Sequence, residues 1–203
     1  MMPQHCVCSV PLTERANSDH FHSCNELRSS GRIQRHTMVV TALRSVAERA
    51  HCDVKVEPRE PRDRHRNSPN IRPDLFITTS SGSLYVDVSI IHPAAQSYAD
   101  AAATTKLHAA RRRETEKVTK FAEFALAHRA AFAPFVMESF GAFGPAAITL
   151  ISRLAGEAEL HGSDRAQFKS HAFACLSVAL QKGNARLAAS GLAAAGHAEH
   201  ASA

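Results

Sequence analysis

Apolar and polar positions in the first part of the chain predict a helix followed by a short strand. Between residues 36 and 50 apolar side chains recur every three or four positions, at Val39, Val40, Leu43, Val46 and Ala47. This spacing predicts a helix with one buried face. In DVKVEP, residues 53–58, apolar and polar residues alternate as in a short strand. Residues 59–70 are charged and interrupted by proline, so we expect a loop there.

The next elements are a hairpin, a long helix and a last strand. RPDLFITT at 72–79 and SLYVDVSII at 83–91 are rich in β-branched and aromatic residues, and the short connection at 80–82 predicts an antiparallel hairpin. The Ala-rich stretch from about 98 to 129 predicts one helix with Leu107, Val118, Phe121 and Ala125 on its buried stripe. APFVME then predicts a strand after Pro134. The order is helix, three strands, helix, strand.

The C-terminal part predicts two more helices and a frayed tail. Gly144 and Pro145 suit the entry to a helix over residues 146–160. A further amphipathic helix is predicted from Asp164 to about Leu187, and the small, Ala-rich residues beyond it predict a frayed end. We therefore divide the chain into an N-terminal segment at 1–30, a core at 36–160, and a C-terminal helix with its tail at 161–203.

Composition narrows the class of protein. The chain has 203 residues, is 44% hydrophobic and carries a net charge of +5, which fits one domain with a small appendage and suits a polyanionic partner. No apolar run is long enough to span a membrane, and the N-terminus has no stretch that would serve as a signal peptide. We expect an intracellular protein that does not enter a membrane.

Two acidic residues are predicted to face each other across the hairpin. Asp74 starts one strand, and Asp87 lies in the other between Val86 and Val88. A carboxylate buried among valines needs a compensating cation, either an arginine or a metal ion, and Mg²⁺ takes carboxylate ligands together with substrate phosphate. The alternative is that Asp74 caps a turn and that Asp87 is solvated on an edge strand.

The five cysteines are an odd number, which argues against a disulfide framework. Cys6, Cys8 and Cys24 lie close in sequence to His20 and His22. Three thiolates and one imidazole suit a structural, tetrahedral Zn²⁺ site, although the spacing Cys6-Val7-Cys8 is tighter than usual and either histidine could be the fourth ligand. The alternative is a disordered tail with incidental cysteines.

The order of these motifs resembles the PD-(D/E)xK, or restriction-endonuclease-like, superfamily, whose core is αβββαβ with a mixed sheet. More narrowly, it is similar to the C-terminal endonuclease region of site-specific non-LTR retrotransposons and related reverse-transcriptase-domain proteins. The similarity covers roughly residues 5–155. It is carried by the Cys/His cluster, RH before the first helix, VEPR, RPDL, VDVSIIHP, RETEKVTKF and PFVMESFGAFG.

The resemblance implies an α+β fold with a CCHC-like zinc knuckle, a nuclease core and extra C-terminal helices. It implies that Asp74 is the acid of the Pro-Asp motif and Asp87 the second acid, and that both bind Mg²⁺ or Mn²⁺ for phosphodiester hydrolysis that nicks DNA. His20, four residues before Cys24, matches the knuckle better than His22. The resemblance also implies a nuclear protein that belongs to a longer reverse-transcriptase polypeptide.

One position departs from the family pattern. The motif lysine falls at Ser89, so the positive charge has to come from the following helix, at Lys117 or Lys120. At about 100° per residue Lys117 lies at the border of the predicted stripe and Lys120 lies much farther round. We expect Lys117 to act at the site, with Glu114 either paired to it or serving as a third acid. The alternative is that Lys117 is an ordinary solvated lysine.

A set of arginines is predicted to bind DNA phosphates without reading sequence: Arg59, Arg62, Arg64, Arg66 and Arg72. A basic loop that is simply solvated is the alternative. Two other functions remain open at this point. One is an inactive retroelement remnant that binds nucleic acid, and the other is a small zinc-stabilised interaction protein in which Asp74 and Asp87 are structural.

Overall fold

The architecture was obtained from a computed structural model that describes residues 3–13, 19–24, 26, 31–58 and 71–201. The predicted loop at 59–70, with its four arginines at 59, 62, 64 and 66, lies outside the described residues. The described part has an α+β fold with one four-stranded mixed sheet and five α-helices. None of these helices combines the length and the apolar character needed to cross a bilayer.

The predicted order of helix, three strands, helix and strand is confirmed, with one short additional helix before the long one. A 3₁₀ turn, His20–His22, precedes these elements. The elements are α1 (Ile33–Arg49), β1 (Asp53–Val56), β2 (Leu75–Thr79), β3 (Gly82–Ile91), α2 (Ala99–Thr104), α3 (His108–Ala127), β4 (Ala131–Glu138), α4 (Pro145–Leu160) and α5 (Arg165–Ala201).

The sheet has the strand order β1-β2-β3-β4. β1 and β2 pair antiparallel, β2 and β3 form the predicted antiparallel hairpin, and β3 pairs parallel with β4. β3 is therefore a central strand, flanked on both sides over part of its length. β4 begins at Ala131, earlier than predicted, and includes Pro134. Proline is tolerated there because β4 lies at the edge of the sheet.

Helices cover both faces of the sheet. Alternate residues of the strands, among them Leu75 and Val86, are fully buried against α1, α4 and α5 in the main hydrophobic core. The opposite face packs against α3 through aromatic rings, and the Tyr85 ring lies 5.0 Å from that of Phe124. Asp87 falls between Val86 and Val88 in β3, so its side chain points to the α3 face.

The helix predicted over 98–129 is broken. α2 ends at Thr104 and α3 starts at His108, with Leu107 between them in the left-handed region at φ +60°. Val118 is 45% exposed, so its predicted place on the buried stripe is wrong. Phe121 is 1% exposed, and Lys117, four residues before it, lies on the same face. Which face of α3 is buried depends on the residues of β3 that lie opposite it, among them Asp87.

The C-terminal tail predicted to be frayed is helical instead, because α5 continues to Ala201. Leu187, where the predicted helix ended, is fully buried against Cys6, Phe21 and Cys24, and Ala188, Leu192 and Ala194 beyond it pack against the same cluster. A close approach between α5 and α1 depends on Gly183, since a Cβ there would lie 2.7 Å from Cγ of Arg35. The Ala-rich stretch stays ordered because a surface distant in sequence covers it.

Candidate functional site

Asp87 is a buried carboxylate with a cationic partner. Its side chain is 8% exposed, and Nζ of Lys117, on α3, lies 2.6 Å from its Oδ2. No other described residue donates a hydrogen bond to Oδ2. Burial raises the pKa of Asp87, and the ammonium of Lys117 opposes that rise. The alternative in which Asp87 is solvated on an edge strand is therefore wrong, because β3 is central and its carboxylate is enclosed.

Asp74 lies just before β2 and is held by the backbone of β3 and by α1. Its Oδ2 accepts a hydrogen bond from the Val88 N–H at 2.7 Å, and Nε2 of His36 lies 3.2 Å away. The same Nε2 lies 3.2 Å from the Val88 carbonyl oxygen. Both neighbours are acceptors, so Nε2 carries the proton. The hydrogen bond to Asp74 raises the pKa of His36.

The two carboxylates occupy facing positions at the end of β2. Leu75 pairs with Val86, so the next position along each strand brings Asp74 opposite Asp87. Their charges interact, since the carboxylate of Asp74 contributes to the raised pKa of Asp87. Lys117 approaches this pair from the α3 side and His36 approaches it from the α1 side. Four titratable groups from four segments of the chain thus converge at one place.

The other two acid and base candidates lie away from the pair. Lys120 is exposed, and its Nζ lies 5.2 Å from the centre of the Phe121 ring. Oε1 of Glu114 accepts a hydrogen bond from the Ala146 N–H at 2.9 Å, in the first turn of α4. Burial raises the pKa of Glu114, and this N–H opposes the rise. The carboxylate of Glu114 therefore caps α4.

The site includes two residues that the sequence analysis did not assign. His36 lies on α1 and belongs to the RH pair that contributed to the family resemblance, but no role was assigned to it. Arg113 lies four residues before Lys117, and its Nε donates to the hydroxyl of Ser89 at 3.4 Å. The i, i+4 spacing on α3 therefore brings a second cation, besides Lys117, to the side of the helix that faces Ser89. Arg113 also pairs with Glu116 at 2.9 Å.

Arg72 is the described member of the predicted phosphate-binding arginines. Its guanidinium forms an ion pair with the carboxylate of Glu57, and both side chains are about half exposed. This pair links Arg72, two residues before Asp74, to the residue that follows β1. Arg72 therefore lies near the Asp74 side of the site, with its charge already balanced by an acid.

The N-terminal cysteines and His20 form a compact cluster. The ligand atoms of Cys6, Cys8, His20 and Cys24 all lie within 4.8 Å of one another. Sγ of Cys8 is 3.0 Å from Nε2 of His20, and Sγ of Cys6 is 3.6 Å from that of Cys24. Burial raises the pKa of Cys6 to about 12, as expected for thiols brought together without a cation. The four residues can hold a metal ion such as zinc.

His22 takes part in a separate set of contacts, which decides between the two histidines. Its Nδ1 accepts a hydrogen bond from Nη1 of Arg35 at 2.9 Å, and burial followed by the charge of Arg35 lowers its pKa to about 4. Arg35 is 2% exposed and also donates to Oδ1 of Asn184 on α5 at 3.1 Å. His22 therefore links the metal cluster to α1 and α5, and His20 belongs to the cluster.

A second chain of contacts ties the same segment to the ends of β3 and β4. Oδ2 of Asp19 lies 3.3 Å from Nε2 of His92, and Nδ1 of His92 lies 2.8 Å from the hydroxyl of Ser139. Ser139 is 1% exposed, so this Asp-His-Ser arrangement has no accessible nucleophile. The rings of His22 and His92 stack with centres 5.3 Å apart. We call these two stacked rings the histidine pair.

Comparison with models of known protein families gives no match for this chain, and no curated protein matches it. The functional assignment therefore depends on the geometry of the two sites described above.

Proposed function

We propose that the protein is a metal-dependent DNA endonuclease in which Asp74 and Asp87 bind Mg²⁺ or Mn²⁺ and Lys117 supplies the positive charge. One observation carries this proposal: Nζ of Lys117 lies 2.6 Å from the buried carboxylate of Asp87. The restriction-endonuclease-like motif has a serine where its lysine belongs, and the cation that reaches the second acid comes from the next helix. The unit from α1 to β4 would be the nuclease core.

The chemistry of the donor groups suits a hard divalent cation. Two carboxylates at facing strand positions provide oxygen ligands, and the second acid is shielded from water, so a bound cation there is favoured. Asp74 and Asp87 would hold a divalent ion, which would supply Lewis acidity toward a phosphate and would activate a water molecule.

The remaining residues of the site have roles that follow from their contacts. His36 holds the carboxylate of Asp74 in one orientation through Nε2, and the Val88 N–H fixes the same oxygen. Lys117 is placed to neutralise charge that develops on a phosphate bound beside Asp87. Arg113, beside Ser89 and partly exposed, provides a further cation for the sugar-phosphate backbone.

A second candidate is a protein that binds nucleic acid without cutting it. It is favoured by the observation that both acids already have partners. Nζ of Lys117 contacts Oδ2 of Asp87. Oδ2 of Asp74 accepts a hydrogen bond from the Val88 N–H and lies close to Nε2 of His36. A retroelement remnant that had lost its metal would balance its buried acids in this way. Under either candidate we place the chain within a longer reverse-transcriptase polypeptide that acts in the nucleus.

Nicking of a supercoiled plasmid tests the proposal. The protein should nick the plasmid with Mg²⁺ or Mn²⁺, and Asp87→Asn should abolish nicking while DNA affinity stays nearly constant, because affinity comes from Lys and Arg contacts to phosphates. Lys117→Ala should lower the rate by about 10²-fold, and Lys120→Ala should have a smaller effect. The matched control is Asp100→Asn, which changes an exposed acid of α2.

The outcomes separate the candidates. DNA binding without metal-dependent nicking would favour the second candidate. Neither binding nor nicking would favour a zinc-stabilised interaction protein. Full activity of Asp87→Asn, with a circular dichroism spectrum like that of the wild type, would exclude Asp87 from the chemistry.

A further inference from the structure

The loop after β4 presents one aromatic ring to solvent. Phe140 is 59% exposed although it lies in the middle of a tightly bonded turn. The Ser139 N–H donates to the Ile91 carbonyl, and the Gly141 N–H donates to the Glu138 carbonyl, each at 2.8 Å. Gly141 adopts φ +108°, which favours glycine and closes the turn. The backbone is fixed while the ring gains little from burial, so the exposed position of Phe140 is built into the loop.

The ring of Phe140 rests on the histidine pair. Its centre lies 5.2 Å from that of His92 and 6.3 Å from that of His22, and it meets both rings edge to face at 70° and 73°. These contacts hold one side of Phe140 and leave the other side free. A planar group could stack on the free side without moving the protein, so little conformational entropy would be lost on binding.

The charge beneath the ring favours an anionic partner. Arg35 donates to His22 and Asn184, two neutral acceptors, and none of the described residues offers it a carboxylate. Its Nε has no hydrogen-bond partner in the described part of the chain, and the side chain is 2% exposed. Asp19, which lies 3.3 Å from His92, offsets part of this charge, but both Arg32 and Arg35 act on His92, so the described charges around the histidine pair are net positive and attract phosphate groups.

The position of Phe140 relates it to the candidate active site. β3 carries Asp87 and ends just before His92, so five residues at about 3.3 Å each put His92 about 16 Å from Asp87. Because Phe140 contacts His92, it lies beyond the end of β3 that follows the candidate active site. The occupant that combines a planar group with negative charge is an unpaired nucleotide.

We propose that Phe140 is a stacking platform for an unpaired nucleobase of single-stranded nucleic acid. This inference goes beyond the proposed nuclease, because stacking requires neither a divalent metal nor cleavage. Aromatic rings bind bases of any sequence through their π faces, and nearby cations bind the backbone. The platform would hold a strand that has separated from its complement.

A tryptophan at position 140 reports on stacking directly, because the chain has no tryptophan of its own. The fluorescence of Phe140→Trp should be quenched when oligothymidylate is added without divalent metal. The matched control is Leu126→Trp, at a position of α3 that is 78% exposed, and its emission should stay nearly unchanged. Oligouridylate is added in parallel, and the tighter-binding strand identifies DNA or RNA as the partner.

Affinity measurements give the second readout. Phe140→Ala should weaken binding of labelled oligothymidylate by roughly 5- to 150-fold, the range for losing one base-aromatic stack, and Phe140→Tyr should retain it. Phe140→Leu should also weaken binding, since it keeps an apolar group and loses the π face. Unchanged affinity in Phe140→Leu, or equal quenching by a duplex, would overturn the platform. Either result would leave the nuclease proposal untouched, because that proposal depends on metal-dependent nicking.

Discussion

Replacing Lys117 with methionine removes the ammonium group from Asp87 while it keeps most of the side-chain volume. Both partners are nearly enclosed, with 12% of the Lys117 side chain and 8% of the Asp87 side chain exposed. The variant must therefore either bury an unpaired carboxylate or protonate it. Either outcome lowers the free energy of unfolding. Because the carboxylate can always be protonated, the free energy of protonation is the upper limit of the loss.

The size of this cost follows from two separate arguments. Removing one partner of a buried ion pair costs about 3–5 kcal/mol. Protonating an aspartate at pH 7 from an ordinary pKa of about 3.9 costs about 1.4 kcal/mol per pH unit over about three units, or about 4 kcal/mol. Slight exposure of Lys117 lets water screen part of the charge, so we expect a loss of about 3 kcal/mol at pH 7.

The loss should depend on pH with a definite sign. Without Lys117 the pKa of folded Asp87 rises further above its unfolded value, because burial is then opposed only by His36. Between these two pKa values the folded variant holds a proton that the unfolded chain has lost, so its stability falls as pH rises. The deficit relative to wild type should be small near about pH 4 and largest at neutral pH and above.

Urea unfolding followed by circular dichroism from acid to neutral pH, without added divalent metal, measures this deficit. Lys120→Met changes an exposed lysine of the same helix and should cost less than about 0.5 kcal/mol. Asp87→Leu combined with Lys117→Met should recover much of the loss, since replacing both partners by apolar groups removes the unpaired charge. An equal deficit at low and neutral pH, or an equal effect of Lys120→Met, would refute the ion-pair argument.

Three further predictions concern the metal cluster and helix packing. Metal analysis of the purified, reduced protein should find about one zinc per chain, and Cys6→Ser with Cys24→Ser should remove it; a content near zero would exclude the site. Gly183→Ala should lower the free energy of unfolding in urea by about 1–3 kcal/mol, because its Cβ meets Arg35 on α1. Gly196→Ala, where nothing lies within 4 Å of the added Cβ, should be neutral or stabilising. Similar effects at both positions would contradict this explanation. Glu114→Ala should lower stability by about 1 kcal/mol through loss of the α4 cap, so unchanged unfolding would count against that contact.

Elements whose signals are local could be predicted from the sequence alone. Alternating β-branched and aromatic residues with a short turn specified the β2-β3 hairpin, the period of apolar residues specified α1, and Gly144 with Pro145 marked the start of α4. The valines on both sides of Asp87 predicted its burial, but a solvated position on an edge strand was excluded only by the central place of β3 in the sheet. Residue type and proximity in sequence pointed to the three cysteines of the candidate zinc site, whereas the contacts of His20 and His22 in the structure decided which histidine joins them.

Only the tertiary structure decided which side of each helix faces the site. Val118 is the more apolar residue, yet Lys117 turns inward because the buried carboxylate of Asp87 lies opposite it, and a helical period carries no information about that partner. His36 and Arg113 were not predicted as site residues because their partners lie far away in sequence. His36 contacts Asp74 and Val88, and Arg113 contacts Ser89.

The extent of α5 depended on tertiary structure as well. Beyond Leu187 its residues are small and give little amphipathic signal, so sequence alone predicted fraying. They form a helix because the segment around Cys6 and Phe21 covers them, and that surface exists only when the two ends of the chain meet. Local propensity sets which elements form, and contacts between distant segments set where those elements end and which side chains face one another.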